Sequence, residues 1–177
     1  MKMQGEQRIA ASREVVWAAL NNAEVLKAAI PGCQEIEKTS DTEMTAKVKL
    51  KIGPMSATFG GKVTLSDLDP PNGYTITGEG SGGVAGFAKG GAVVRLVEEG
   101  PEMTLLTYDV KADVGGKIAQ LGSRLIDATA KKLAGEFFDN LADVVAPPEP
   151  EEGEAASDDD TSKKKGWFRS MFTKKES

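Results

Sequence analysis

The stretch KIAQLGSRLIDATAKKLAGEFFDNLADVVA, Lys117 to Ala146, decides the fold. It follows the breaker pair Gly115-Gly116 and runs without proline to Pro147-Pro148, long enough for about eight turns of helix. Ile118, Leu121, Leu125 and Thr129 recur on one face, and Leu133, Phe137, Leu141 and Val144 continue at helical spacing. At ~100° per residue the apolar stripe drifts by roughly 100° between the two halves. A straight helix with that drift has to be wrapped by something curved. The residues before it read as long antiparallel strands, so the pattern predicts a helix in the grip of a bent sheet.

Working back to the start of the chain, Met3 to Ala10 alternates and predicts a first strand. Ser12 stands at an N-cap position, and Glu14 in the first turn favours the helix dipole. Val15, Val16, Ala19 and Leu20, with Trp17 among them, predict a short amphipathic helix. Asn21-Asn22 breaks it and recaps a second, which runs through Ala29 and ends at Pro31-Gly32. Strands follow at Gln34–Thr39, Glu43–Ile52, Met55–Leu65, Tyr74–Gly83, Ala92–Glu98 and Met103–Val114. In the second of these Met44, Ala46, Val48, Leu50 and Ile52 share one face, while Glu43, Thr45, Lys47, Lys49 and Lys51 are expected to meet water. The predicted fold class is α+β: a curved antiparallel sheet of about seven strands around a long C-terminal helix, with two short helices after the first strand.

Gly78, Gly80, Gly82, Gly83, Gly86, Gly90 and Gly91 crowd the region around Phe87. A phosphate-cradling loop needs a strand before it and a helix after it, whereas these glycines lie between two strands. They are better read as permitting bulges and sharp sheet curvature. A curved sheet with side-chain-free positions encloses empty volume, so an apolar cavity is predicted. Met44, Val48, Phe59, Leu106 and Val110 face Ile118, Leu121 and Leu125 across it, Gly122 leaves room, and Phe87 and Tyr108 are further candidates for its lining.

The chain of 177 residues is long enough for one domain with a real core, and carries a formal charge of -5. Its single cysteine, Cys33, forms no disulfide framework, reads as a small buried apolar residue and fits a reducing compartment. With no histidine, the commonest general base and metal ligand is missing. No spaced carboxylate pair sits inside an apolar run, so no residue is singled out as catalytic or metal-binding. The polar N-terminus predicts no secretory signal, and no apolar run approaches the ~20 residues of a membrane span. Residues 1–146 carry 16 bases against 19 acids, a near-neutral body that points away from nucleic acid.

Residues 147–162 are rich in proline, acids and small residues and read as a disordered linker. Residues 163–177 then turn basic and aromatic. As a helix, Trp167, Phe168, Met171 and Phe172 fall within an arc of ~140°, bracketed by Lys163, Lys164, Lys165, Arg169, Lys174 and Lys175. On an anionic membrane each base contributes ~1 kcal/mol, and the large apolar side chains insert at headgroup level. The alternative is a docking peptide for a protein groove.

The order of elements resembles the helix-grip (START-like, or SRPBCC) superfamily, whose members often enclose a hydrophobic ligand. Three segments resemble the CoxG family of carbon monoxide dehydrogenase accessory proteins more closely: Ile30-Pro31-Gly32-Cys33, the glycine-rich Gly80 to Leu96, and Val114 to Arg124 running on to Phe137-Phe138. The resemblance covers roughly Met1 to Val145, so the tail is read on its physics alone. It implies a non-catalytic accessory protein that places a molybdenum-containing carbon monoxide dehydrogenase, or a related molybdenum hydroxylase, at the inner face of the cytoplasmic membrane. The enzyme's electron acceptor, a respiratory quinone, is confined to lipid. Such a protein either tethers the enzyme or extracts a quinone (menaquinone or ubiquinone) and presents it; no covalent cofactor is implied. Two rivals stay open: a helix-grip enzyme of the cyclase or hydrolase type, and an assembly factor for the dehydrogenase.

Overall fold

A computed structural model describes residues 1–145. The linker and the basic-aromatic tail lie outside the described residues. The chain begins with strand β1 (Lys2–Ile9), then helices α1 (Arg13–Leu20) and α2 (Ala23–Ala29). Strands β2 (Cys33–Ser40), β3 (Glu43–Ile52), β4 (Met55–Asp69), β5 (Gly73–Ser81), β6 (Phe87–Gly100) and β7 (Met103–Gly115) follow, and helix α3 (Ser123–Val145) closes the fold. The strands form one antiparallel sheet in the order β1-β7-β6-β5-β4-β3-β2. Hairpins join neighbours from β2 to β7, and the two short helices carry the chain from one edge of the sheet to the other.

The helix caps match the sequence. Ser12 Oγ accepts from Val15 N at 3.2 Å, and Asn22 Oδ1 accepts from Glu24 N at 2.8 Å and Val25 N at 3.2 Å. Each cap contributes about 1 kcal/mol by satisfying N–H groups that the first turn leaves unpaired. Burial in α1 falls on Val16, Ala19 and Leu20; Val15 is exposed, since at ~100° per residue it lies about 90° off the mean direction of those three.

Three boundaries differ from expectation. The long helix begins at Ser123 instead of Lys117, after a 3-10 turn over Lys117–Leu121. Gly122 stands between them at φ 97°, a left-handed conformation that interrupts the helix and that residues with a Cβ rarely adopt. Ile118 and Leu121 therefore belong to the turn and not to the helix stripe. Strand β6 starts at Phe87 instead of Ala92 and takes in Gly90 and Gly91, since ladder hydrogen bonds need no side chain. Strand β4 runs past Leu65 to Asp69 across a register shift between Ser66 and Asp69.

The core lies toward one end of the sheet. Ile9, Val16, Leu20, Leu26, Met44, Leu65, Tyr74, Leu96, Leu106, Phe138 and Leu141 form a single buried cluster. On α3 the fully buried residues are Phe138, Leu141 and Val144, all in its C-terminal half. Asn140 Nδ2 donates to Ala29 O at 3.0 Å and Thr104 Oγ1 to Ala11 O at 2.8 Å, tying α3 and β7 to the small helices. Leu125, Ile126, Thr129 and Ala130 in the N-terminal half remain only half buried. Leu141→Ala is therefore expected to cost about 3 kcal/mol and Leu125→Ala well under half of that, measured by urea denaturation.

Candidate functional site

The inner face of the sheet is set by strand alternation. Register pairs Val63 with Gly78, Gly78 with Gly90 and Gly90 with Ala112, so one row across four strands is almost bare of side chains. The next row toward the open end pairs Gly61 with Gly80, Gly80 with Ala88 and Ala88 with Val114. A methyl group built on Gly80 meets nothing nearer than 3.6 Å. These rows make a low floor on the face of the sheet that α3 crosses. Across the inner positions Met44 to Ile52 on β3, Ala57 to Leu65 on β4, Tyr74 to Gly80 on β5, Ala88 to Leu96 on β6 and Leu106 to Val114 on β7 there is no charged residue; Glu98, next in the β6 row at the core end, pairs with Arg13.

The predicted lining residues divide into three groups. Met44 and Leu106 are packed into the core, at 5% and 1% exposure. Tyr108 stacks on Phe138, with ring centroids 5.3 Å apart and planes at 22°, in space left by Gly5, where a Cβ would run into the tyrosine hydroxyl. Val48, Phe59, Val110 and Leu125 lie half buried around the open end, and Ile118 is buried beneath the 3-10 turn with Leu121 half buried beside it. Gly122 is exposed, with nothing within 4 Å of the Cβ it lacks. Phe87 is a correction: its ring covers Gly115 on the outer face, and Ala88 takes the inward position. Parity explains it, since Ala88 shares its side of β6 with the buried Val94 and Leu96.

Sequence reasoning passed over the floor itself, namely Gly61, Ala88, Ala92 and Ala112, and the roles of Gly78, Gly80 and Gly90 within it. Counting inward positions by twos from Val94 and Leu106 finds them. On the outer face a polar groove of about 460 Å³ is lined by Lys62, Thr64, Thr77, Glu79, Lys89 and Asp113 among others. Lys62, Glu79, Lys89 and Asp113 stand directly opposite one another in alternating sign, so their charges largely offset in solvent.

Two titratable groups face the interior side. Burial pushes the Tyr74 hydroxyl well above the usual phenol range, and its ring lies 5.3 Å from that of Trp17. Desolvation likewise raises the Cys33 thiol, which donates to Glu35 O at 3.4 Å and so rests as a protonated, weakly reactive group.

The family model for the CoxG subunit of carbon monoxide dehydrogenase matches residues 5–146. A conserved protein from Geobacillus kaustophilus is 29% identical with a TM-score of 0.78, over 82% of this chain and 95% of that one. A START superfamily protein from Mycobacterium smegmatis is 16% identical (TM-score 0.61; 81% and 95% covered). The Zhui aromatase/cyclase from Streptomyces sp. R1128 is 15% identical (TM-score 0.56; 80% and 91% covered). The last two likenesses show the fold alone, a START-like helix-grip. No curated protein matches the chain in sequence.

Tyr74 gives this region a pH signature. The unfolded chain ionises it near pH 10 while the folded chain keeps it neutral, so its contribution to stability is complete below about pH 10 and falls as pH rises beyond. Unfolding midpoints measured from pH 9 upward are expected to drop, and Tyr74→Phe to flatten that drop.

Proposed function

The chain belongs to the CoxG family of carbon monoxide dehydrogenase subunits, and from that membership we propose that it is a non-catalytic accessory protein. In this reading it brings a molybdenum carbon monoxide dehydrogenase, or a related molybdenum hydroxylase, to the cytoplasmic membrane. It holds a lipophilic molecule, a respiratory quinone such as menaquinone or ubiquinone, between the bare floor of the sheet and the N-terminal half of α3. A quinone placed there is an acceptor for the electrons of a soluble enzyme that cannot itself enter lipid.

One observation carries the ligand class: the inner positions of β4 to β7 toward the open end, Ala57 to Val63, Ile76 to Gly80, Ala88 to Ala92 and Val110 to Val114, are small or apolar and none is charged. A phospholipid would bring a phosphate with no basic partner there, at several kcal/mol. A quinone brings only carbonyl groups. The same absence of inward carboxylate, ammonium and imidazole groups disfavours acid-base chemistry as the use of this face. No described helix is long and apolar enough to cross a membrane, so attachment is assigned to the tail, residues 163–177. Its aromatic and basic side chains supply the two contributions that reversible anchoring needs.

Protein purified from its native membrane is expected to carry quinone and no phospholipid by mass spectrometry. Phospholipid without quinone would reverse the ligand assignment. Ala92→Phe and Ala112→Phe raise the floor and should abolish retention of a short-chain menaquinone while leaving the far-ultraviolet spectrum unchanged. For the tail, Trp167→Ala with Phe168→Ala should release the protein from anionic vesicles, as should replacement of Lys163, Lys164 and Lys165 by Glu. If both variants sediment like the parent, a docking peptide replaces the membrane anchor.

A further inference from the structure

Three chain segments meet around the open end of the grip. The β3–β4 hairpin arrives at Gly53, where a Cβ would stand 2.7 Å from Leu125 Cδ2 in the first turn of α3. The β5–β6 connection packs Gly82 against Phe59, where a Cβ would stand 2.7 Å from the ring, and Gly86 against the backbone of Gly115 and Gly116. The β7–α3 junction completes the ring. The β5–β6 connection is a tight loop: Gly82 N donates to Gly86 O at 2.8 Å, and Gly86 holds φ 120°. At its apex Val84 is 85% exposed, and Phe87 beside it is 46% exposed. A valine held that far into water by a closed loop gains nothing from the fold.

Charge singles out the same end. Residues 49–59 and 114–126 carry Lys49, Lys51, Lys117 and Arg124 and no acid, while Lys89 is offset by Glu79 and Asp113 opposite it and Asp127 follows Arg124 on α3. The body as a whole has 16 bases against 19 acids through residue 146, so this is a local excess against the average. The opposite end holds Asp41, Glu43, Asp67, Asp69, Glu98, Glu99 and Glu102, with Arg8 and Arg13 paired to Glu99 and Glu98. Exposed apolar side chains beside a local excess of bases are the chemistry of an anionic lipid surface.

We infer that this rim docks on anionic lipid, with Val84 and Phe87 entering the headgroup layer and Lys51, Lys117 and Arg124 lying on phosphates. The inference rests on the reading of the inner face as a lipophile site, whose mouth it turns toward the bilayer. A quinone then passes between membrane and protein without crossing water. Chain length permits rim and tail to touch one bilayer together. Helix α3 has 23 residues and so carries the chain ~35 Å away from the rim. The 17 residues from 146 to 162 can span up to ~55 Å.

The test uses the full chain in a Cys33→Ser background, with a polarity-sensitive fluorophore on Val84→Cys or, at the far end, on Glu102→Cys. Vesicles of phosphatidylcholine with phosphatidylglycerol are compared with phosphatidylcholine alone. A blue shift at position 84 on the mixed vesicles, with none at position 102, is the expected result. Lys51→Glu with Lys117→Glu should weaken the vesicle dependence of that shift by at least about tenfold. Co-sedimentation without a shift at position 84 overturns the inference while leaving the tail anchor standing. An equal shift on phosphatidylcholine alone removes the role of the bases and overturns it too. A response to added dehydrogenase and not to vesicles makes the rim a protein interface instead. Quinone retention is measured separately, so loss of the ligand reading and loss of the docking surface are told apart.

Discussion

The packing of the C-terminal half of α3 is the constraint on which the rest depends. Phe138, Leu141 and Val144 close over the core built by α1, α2 and the near half of the sheet. Asn140 fastens the same turn of helix to the end of α2. With the helix clamped there, its N-terminal half extends over the sheet without having to be packed down onto it. The stability of the fold is concentrated at one end, and the other end is free to serve a ligand.

The sheet is matched to that division. Near the clamp its inner residues are large: Leu65, Tyr74, Val94, Leu96 and Leu106. Beyond Ile76 and Ala92 they shrink to Gly78, Gly80, Ala88, Gly90 and Ala112. Interiors pack to nearly uniform density, so a stretch of missing side chains under a helix is normally filled by its neighbours. Here the interrupted start of α3 at Gly122 keeps the helix from supplying that filling. The apolar character and small side chains of this stretch are what the proposed lipophile site rests on. Family membership gives the proposal its setting, since in that proposal an accessory of a soluble dehydrogenase has a use for a lipid-phase acceptor.

Electrostatics follow the same axis. The clamped end is acidic and partly neutralised by the pairs of Arg8 and Arg13, whereas the open end has an excess of bases in Lys49, Lys51, Lys117 and Arg124. In a body of near-neutral charge such a separation produces an oriented molecule in front of a charged surface.

Much of this was legible in the sequence, for definite reasons. Alternation in β3 placed Met44, Val48 and Lys49 on their correct faces, Ser12 and Asn22 announced two helices, and the apolar stripe from Leu125 to Val144 required a curved sheet around it. These are local signals with short periods, and the family resemblance rode on the same segments. Tertiary structure decided what periodicity leaves free. Gly122 adopts a left-handed conformation between the turn at Lys117–Leu121, which buries Ile118, and the start of the helix. Phe87 faces outward because β6 extends through Gly90 and Gly91, where glycine hides the strand pattern from view. Met44 and Leu106 became core, and Val48 and Phe59 became rim, because α3 packs only at its far half. Position along the strands relative to that clamp is a long-range fact, set by contacts more than a hundred residues apart, and no local pattern contains it.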